Sequence, residues 1–244
     1  MQDIILHEGR EKSLLRHHPW IFSKAIANEP NNLKAGSIVN VLDANGNFLC
    51  QGVYSPKSQI RVRALSFDVN IKVDDALIEK RISDAVNLRQ NLILRGNDGV
   101  RLVASEGDFL PGLIVDKYND FIVLSISSYA MEIFKDVIVD SLQKHFPNAS
   151  FYERSDTKSR LKEGLAEHCG VLRGETPPDV LYVKENDKVY VPVDICHGHK
   201  TGAYLDQRQS RLHASTLSKG ARVLNCFSYT GGFGLWALKG GAKS

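Results

Sequence analysis

Arg222-Val223-Leu224-Asn225-Cys226-Phe227-Ser228-Tyr229-Thr230-Gly231-Gly232-Phe233-Gly234-Leu235-Trp236-Ala237-Leu238 decides how this chain is read. A short apolar run between Gly220 and Asn225 predicts a buried parallel strand, and residues 233–238 behind the glycines predict the start of a helix. Glycines between strand and helix let a backbone approach a ligand, and the free N–H groups of a helix start face an anion. The dinucleotide pattern G-x-G-x-x-G is absent, and Phe227-Ser228-Tyr229 stands where its first glycine would be. A cofactor with a carboxylate and a sulfonium, S-adenosylmethionine, suits such a loop: helix N–H groups for the first, aromatic faces for the second. A strand-to-helix turn without any ligand has the same form.

The chain ends at Ser244, so the parallel partners that would cover Val223 and Leu224 are not in it. The expectation is a fragment that opens a Rossmann-like sheet without completing it. Val223, Leu224, Phe233 and Leu235 are then expected to be partly exposed. The segment would be disordered, packed on a second copy in a homodimer, or covered by its missing partner.

Working outward, a second polar, glycine-bearing stretch precedes the first: Gly198-His199-Lys200-Thr201-Gly202-Ala203-Tyr204-Leu205-Asp206-Gln207-Arg208. It reads as a loop, with Asp206 capping a helix through Arg208, Arg211, Leu212 and Leu217. Lys200 and Arg208 suit a carboxylate or phosphate, Tyr204 a base or sulfonium, and Gln207 an adenosine edge.

The rest divides into two units. Residues 1–70 read as a small β-barrel-like module with strands over 4–6, 37–42, 48–54 and 60–65, and Asp43-Ala44-Asn45-Gly46 forms a hairpin turn. In Ile60-Arg61-Val62-Arg63 the alternation puts both arginines on one face, near Arg10, Lys12 and Arg16 on a helical turn. That face is either a basic binding surface or solvated charge, and Trp20 is either core or a stacking group. Residues 71–193 read as an α+β module. Its helix over 74–94 is capped by Asp74 or Asp75 and has Leu77, Ile82, Val86, Leu88 and Leu92 on its apolar face. Strands follow near 100–104, 112–115 and 121–127, then a helix over 131–145, a strand at 150–152 and a hairpin over 180–193.

A hydrophobic share of 43% against 24% charged residues fits a globular chain, and a net charge of +3 is too small to demand a polyanion by itself. No apolar run reaches a membrane span and no signal-peptide pattern opens the chain, so a cytoplasmic protein is expected. Cys50, Cys169, Cys196 and Cys226 have no metal spacing and read as reduced, mostly buried thiols, Cys226 among them.

The two long motifs, 198–208 and 224–234, resemble the cytosine-C5 ribosomal RNA methyltransferase family of large subunit methyltransferase I. Gly9-Arg10-Glu11-Lys12, His18-Pro19-Trp20-Ile21-Phe22 and Gly52-Val53-Tyr54-Ser55-Pro56 are similar to its N-terminal PUA domain. Glu106-Gly107-Asp108-Phe109-Leu110-Pro111-Gly112-Leu113-Ile114-Val115-Asp116 and Glu153-Arg154-Ser155-Asp156 are similar to its central domain. The resemblance implies a PUA-like RNA-binding domain over 1–70, a central α/β domain over 71–193, and over 194–244 the first part of a class I methyltransferase domain. It implies S-adenosylmethionine contacts at Tyr204, Gln207, Arg208, Phe227, Tyr229, Gly231 and Gly232, and RNA contacts at Arg10, Lys12, Arg61 and Arg63. The implied reaction is methylation of cytosine C5 in 23S ribosomal RNA. A thiolate attacks C6, C5 takes the methyl group, and a base removes the C5 proton to release the enzyme. No residue here matches the family's nucleophile, which is expected beyond Ser244. An RNA-binding module without catalysis is the alternative for the isolated chain.

Overall fold

The computed structural model describes residues 1–244. The first unit contains β1 (Gln2–Leu6), β2 (Trp20–Phe22), β3 (Ile26–Asn28), β4 (Ile38–Leu42), β5 (Phe48–Tyr54) and β6 (Ile60–Ser66). They form one six-stranded sheet in the order β2-β6-β5-β4-β1-β3, parallel only between β1 and β4. Its ladder has two free edges and is not closed into a barrel. The hairpin joining β4 to β5 turns where the sequence predicts it: Asp43 Oδ1 accepts the N–H groups of Asn45 and Asn47, both at 2.8 Å, and Gly46 takes φ +84°. Two strands of this sheet, β2 and β3, have three residues each and carry too little periodicity to be seen in sequence.

The central unit begins with α1 (Asp75–Leu94), whose N-cap Asp74 accepts the Leu77 N–H at 3.2 Å. Its buried stripe is Ile78, Ile82, Ala85 and Val86, while Leu88 is 73% exposed. At 100° per residue, position 88 lies outside the arc that 78, 82 and 85 define, which corrects its expected place on the apolar face. There follow β7 (Gly99–Ala104), β8 (Leu113–Tyr118), β9 (Phe121–Ile126), α2 (Tyr129–Glu132), α3 (Lys135–His145), β10 (Ser150–Ser155), α4 (Lys158–Glu163) and β11 (His168–Arg173). The expected helix over 131–145 is two helices, because the chain breaks at Ile133-Phe134 to bury Phe134. The sheet order is β11-β10-β9-β8-β7, with β9 and β10 parallel across the helical connection and every other pair antiparallel.

Strand alternation gives this sheet two apolar faces. Ile122, Leu124 and Phe151 join a core with α1, α2 and α3, whereas Val123, Tyr152 and Tyr118 turn to the other side. That other side is covered by the hairpin β12 (Leu181–Glu185) and β13 (Val189–Val193), then by α5 (Arg208–Thr216) and α6 (Gly232–Lys239). The hairpin turns through Asn186, Asp187 and Lys188, the first two at positive φ, with Lys188 N donating to Glu185 O at 3.0 Å.

Glu163, at the end of α4 and 2% exposed, joins the first unit to the second. It accepts hydrogen bonds from Arg63 at 2.8 Å, Ser55 at 2.7 Å and Ser58 at 2.5 Å. A carboxylate with three donors is stable away from water; with none it would not be.

Residues 222–225 correct the strand expectation. They adopt no ladder position; Val223 N donates to Ser244 O at 2.7 Å, and Lys243 N donates to Ala221 O at 2.7 Å. Val223, Leu224, Phe233 and Leu235 are 39%, 87%, 38% and 37% exposed, in line with the exposure their sequence suggests.

Candidate functional site

Two loops meet at the end of the hairpin layer. The first, residues 194–204, leaves β13 and folds on itself: Gly198 N donates to Asp194 O at 3.1 Å and Gly202 N to His199 O at 2.9 Å. The central sheet fixes it from below. Buried Arg154 on β10 donates to the carbonyls of Ile195 and Gly198, the latter at 3.1 Å, and to Asp156 at 3.2 Å. Buried Thr201 donates to Asp116 Oδ2 at 2.5 Å and lies 2.9 Å from the Tyr118 hydroxyl. Asp116 is in turn clamped by both arms of Arg101, at 2.8 and 2.9 Å. Burial pushes the Tyr118 phenol up, so it stays protonated as a donor.

The second loop, residues 225–231, runs into α6 with Phe227, Tyr229 and Gly231 at φ +52°, +50° and +80°. Two of the three are bulky residues in the left-handed region, a backbone state that persists only when its surroundings enforce it. For Tyr229 those surroundings are plain. Its hydroxyl accepts the His199 N–H at 2.8 Å and donates to Gly202 O at 3.2 Å, and its ring stacks on His199 at 4.7 Å. Tyr204 meets the Tyr229 ring edge-on at 5.6 Å, and its hydroxyl lies 3.1 Å from His199 Nδ1. Gly198 is required here, since a Cβ would come within 2.8 Å of the Tyr229 oxygen.

Between the loops lies a cavity of about 380 Å³, lined by Tyr204, Gln207, Arg211, Phe227, Tyr229 and Gly232 among others. That size and its mixed aromatic and polar lining suit a small organic ligand. α6 starts at its rim with no side-chain cap, leaving the first N–H groups of the helix without a side-chain partner. Arg211 contributes little net charge. It is clamped on Glu185, donating from Nε to Oε2 at 3.0 Å and from Nη2 to Oε1, while Trp236 Nε1 donates to the same Oε2 at 2.9 Å. Its Nη1 also donates to Tyr204 O at 3.3 Å, so the Glu185-Arg211-Trp236 triad supports one wall of the cavity.

The structure brings together Tyr204, Gln207, Phe227, Tyr229 and Gly232, with Gly231 as the left-handed residue that turns the chain into α6. It moves Arg208 away. Arg208 is buried and donates to Gly99 O beneath the loop, and burial lowers its pKa, which corrects its expected cofactor contact: its guanidinium holds β7. Asp206 caps nothing, because a short 3-10 turn at Leu205–Gln207 precedes α5 and neither has a side-chain cap. Lys200 is exposed at φ +59° and lines no part of the cavity. Sequence reasoning missed His199, Arg211 and Glu185; only Arg211, three residues past Arg208 on the helix, had a signal in its spacing.

Of the expected RNA contacts, Arg10 and Lys12 are exposed and border a hollow of about 290 Å³ floored by Trp20 and Ile21. Arg63 is a correction: it is buried, paired with Glu163, and its guanidinium sits 5.9 Å from the Trp20 ring. Arg61 is half-buried, donates to Pro56 O and lies 3.7 Å from Glu29. The thiols also differ from expectation, since only Cys50 is buried, Cys196 is intermediate, and Cys169 and Cys226 are exposed. Cys226 loses its cover together with the strand that was expected to hold it.

Residues 4–67 match the family described as a PUA-like domain. Over 241 residues the chain is 47% identical to ribosomal RNA large subunit methyltransferase I of Tolumonas auensis, covering 98% of this chain and 61% of that protein. The protein of the same name from Vibrio vulnificus is 51% identical, with 98% and 60% covered. A candidate SAM-dependent methyltransferase from Streptococcus mutans superposes over the whole chain with TM-score 0.82 and 26% identity, 62% of that structure being matched. A candidate methyltransferase crystallised with SAH superposes with TM-score 0.83 and 26% identity, over 61% of its length. This chain thus spans about 61% of the length of the curated relatives it matches.

Proposed function

We infer that residues 194–244 build part of an S-adenosylmethionine site, as the first portion of a class I methyltransferase domain, and that the PUA-like unit holds ribosomal RNA. The whole protein would methylate cytosine C5 in 23S ribosomal RNA in the cytoplasm. The observation that carries the cofactor reading is the 380 Å³ cavity between the two loops, walled by Tyr204 and Tyr229 at the uncapped start of α6. Aromatic faces suit the sulfonium and adenine, the Gln207 amide suits an adenosine edge, and helix N–H groups suit the carboxylate. When bound, the cofactor supplies a methyl group made electrophilic by the positive sulfur. Resemblance to proteins named as ribosomal RNA methyltransferases, one structural neighbour having been crystallised with SAH, supports the same reading.

Calorimetry with SAH tests it on this chain. Binding should weaken about tenfold or more in Tyr204→Ala and Tyr229→Ala, the loss of one well-placed aromatic contact. Native-like SAH affinity in both variants, or none in the native chain, would remove the cavity from the cofactor reading. For the whole protein, transfer of labelled methyl to unmodified 23S RNA at a cytosine C5 is the expected result, and labelling at another atom would overturn the C5 assignment.

A second reading, RNA binding without catalysis by the isolated chain, is favoured by one observation: none of the four thiols lines the cavity. It expects RNA binding with no methyl transfer by this chain.

A further inference from the structure

β2 is an edge strand, and its side chains carry the feature that the functional reading leaves unused. Trp20 and Phe22 on it, with His18 two residues before it, stand in a row, with ring centroids 5.4 and 6.4 Å apart. The middle ring is held: Trp20 Nε1 donates to Glu106 at 2.9 Å, and Arg63 covers part of its face. The outer two are open, Phe22 being 46% exposed.

Phe22 also lies where two hollows meet. One is the 290 Å³ hollow on the PUA-like unit, whose charged residues are Arg10, Lys12 and Lys24, all cationic. The other is a cleft of about 480 Å³ between that unit and α4, reached by Lys57, Arg63, Lys162 and Glu163. Glu163 adds no free negative charge there, because Arg63, Ser55 and Ser58 all donate to it. Lys57 lies against Gly164, the left-handed C-cap of α4, where any Cβ would strike its stem. The stem of the lysine thus packs on the end of α4 while the residue as a whole stays exposed and lines the cleft. The result is five exposed cations on either side of an exposed aromatic ring, with no unpaired carboxylate in either lining.

We propose that a single-stranded RNA segment crosses from the PUA-like unit into the cleft against α4, with Arg10, Lys12 and Lys24 on phosphates before Phe22 and Lys57 and Lys162 on phosphates after it. Phe22 stacks an unpaired base at the crossing. This deepens the RNA-binding part of the proposed function and rests on it, while being independent of the cofactor cavity. Exposed cations alternating with an open aromatic face suit a flexible strand, whose bases can reach a ring; a duplex keeps its bases stacked inside.

The test is a fluorescence-anisotropy titration of the 244-residue chain with a labelled mixed-sequence RNA of about 12 nucleotides, as single strand and as duplex, over a range of salt. The single strand should bind more tightly. Phe22→Leu should weaken it about fivefold or more, since the leucine keeps apolar cover and loses the stacking face. Lys57→Gln with Lys162→Gln should reduce the salt slope by about 1.4, near 0.7 per phosphate contact on a single strand. Tighter binding of the duplex, native affinity in Phe22→Leu, or an unchanged slope in the double variant would each overturn the track. SAH calorimetry on the same variants should match the native chain. Loss of SAH binding only in the cavity variants separates a failure of the cofactor reading from a failure of this one.

Discussion

The dipeptide Val-Leu occurs at 123–124 in the middle of the central sheet and again at 223–224 ahead of the candidate cofactor loop, with opposite fates. Val123 and Leu124 are each 0% exposed, one facing the hairpin layer and the other facing the helices. Val223 and Leu224 are 39% and 87% exposed, and Val223 N donates to Ser244 O at 2.7 Å rather than to a strand. The same residues with the same strand preference are core in one place and surface in the other, because a strand is fully buried only where neighbouring strands and covering layers reach it. Strand propensity is therefore a statement about fit to a surface that other parts of the chain must supply.

The sharpest way to probe this contrast is to cut the polar anchor of the last helices. Glu185→Ala leaves Arg211 buried without its carboxylate and should cost about 3–5 kcal/mol. Amide exchange in α5 and α6 should accelerate and Trp236 emission should shift red, with the central sheet still protected. Equal loss of protection in β9 would show that the two regions unfold as one, and the contrast would fail. Next in size, Leu124→Ala should lower stability by about 2–5 kcal/mol in a denaturant titration, whereas Leu224→Ala should change it by less than about 0.5 kcal/mol. Similar losses for both would break the comparison outright.

Smaller effects sharpen it. Asp74→Ala removes the side-chain acceptor for the Leu77 N–H and should cost about 1 kcal/mol. Because α1 helps build the central core, the thermal midpoint of the whole sheet should fall with it. The smallest effect is on the acid limb. Burial raises the Glu132 carboxyl pKa, but hydrogen bonds from Arg160 and Lys135, both at 2.7 Å, outweigh this and hold it below its ordinary 4.5. A depressed folded pKa gives stability that is present above the unfolded value and is lost as pH falls through the folded one. Stability should thus decline below about pH 4.5, and Glu132→Gln should flatten that decline; an unchanged acid limb would remove Glu132 from the account.

The resemblance to large subunit methyltransferase I is carried by the stretches 198–208 and 224–234, each a continuous run that the sequence displays in order. Local turn chemistry was equally readable. Asp43 and Gly46 at one hairpin, and Asp74 at a helix start, act through neighbours a few residues away, which a sequence displays in order. Arg208 and Arg63 were not readable in this way. Each looked like a free cation, yet one holds Gly99 O and the other Glu163, partners about a hundred positions away. An arginine that binds a ligand and one that locks two elements together have the same local signature.

By itself the sequence determined the long capped helix, the turn chemistry of the first hairpin, the alternation that gives the central strands two apolar faces, and the glycines that let the two loops approach each other. All of these depend on forces that act within a few residues or on periodicity along one element. Only the tertiary structure decided that Tyr204, His199 and Tyr229 form one aromatic wall. It also decided that Glu185 and Arg211 support that wall, and that Val223-Leu224 remains outside the sheet. Those outcomes depend on which distant surface arrives opposite each side chain, and burial and charge pairing take their values only once it has.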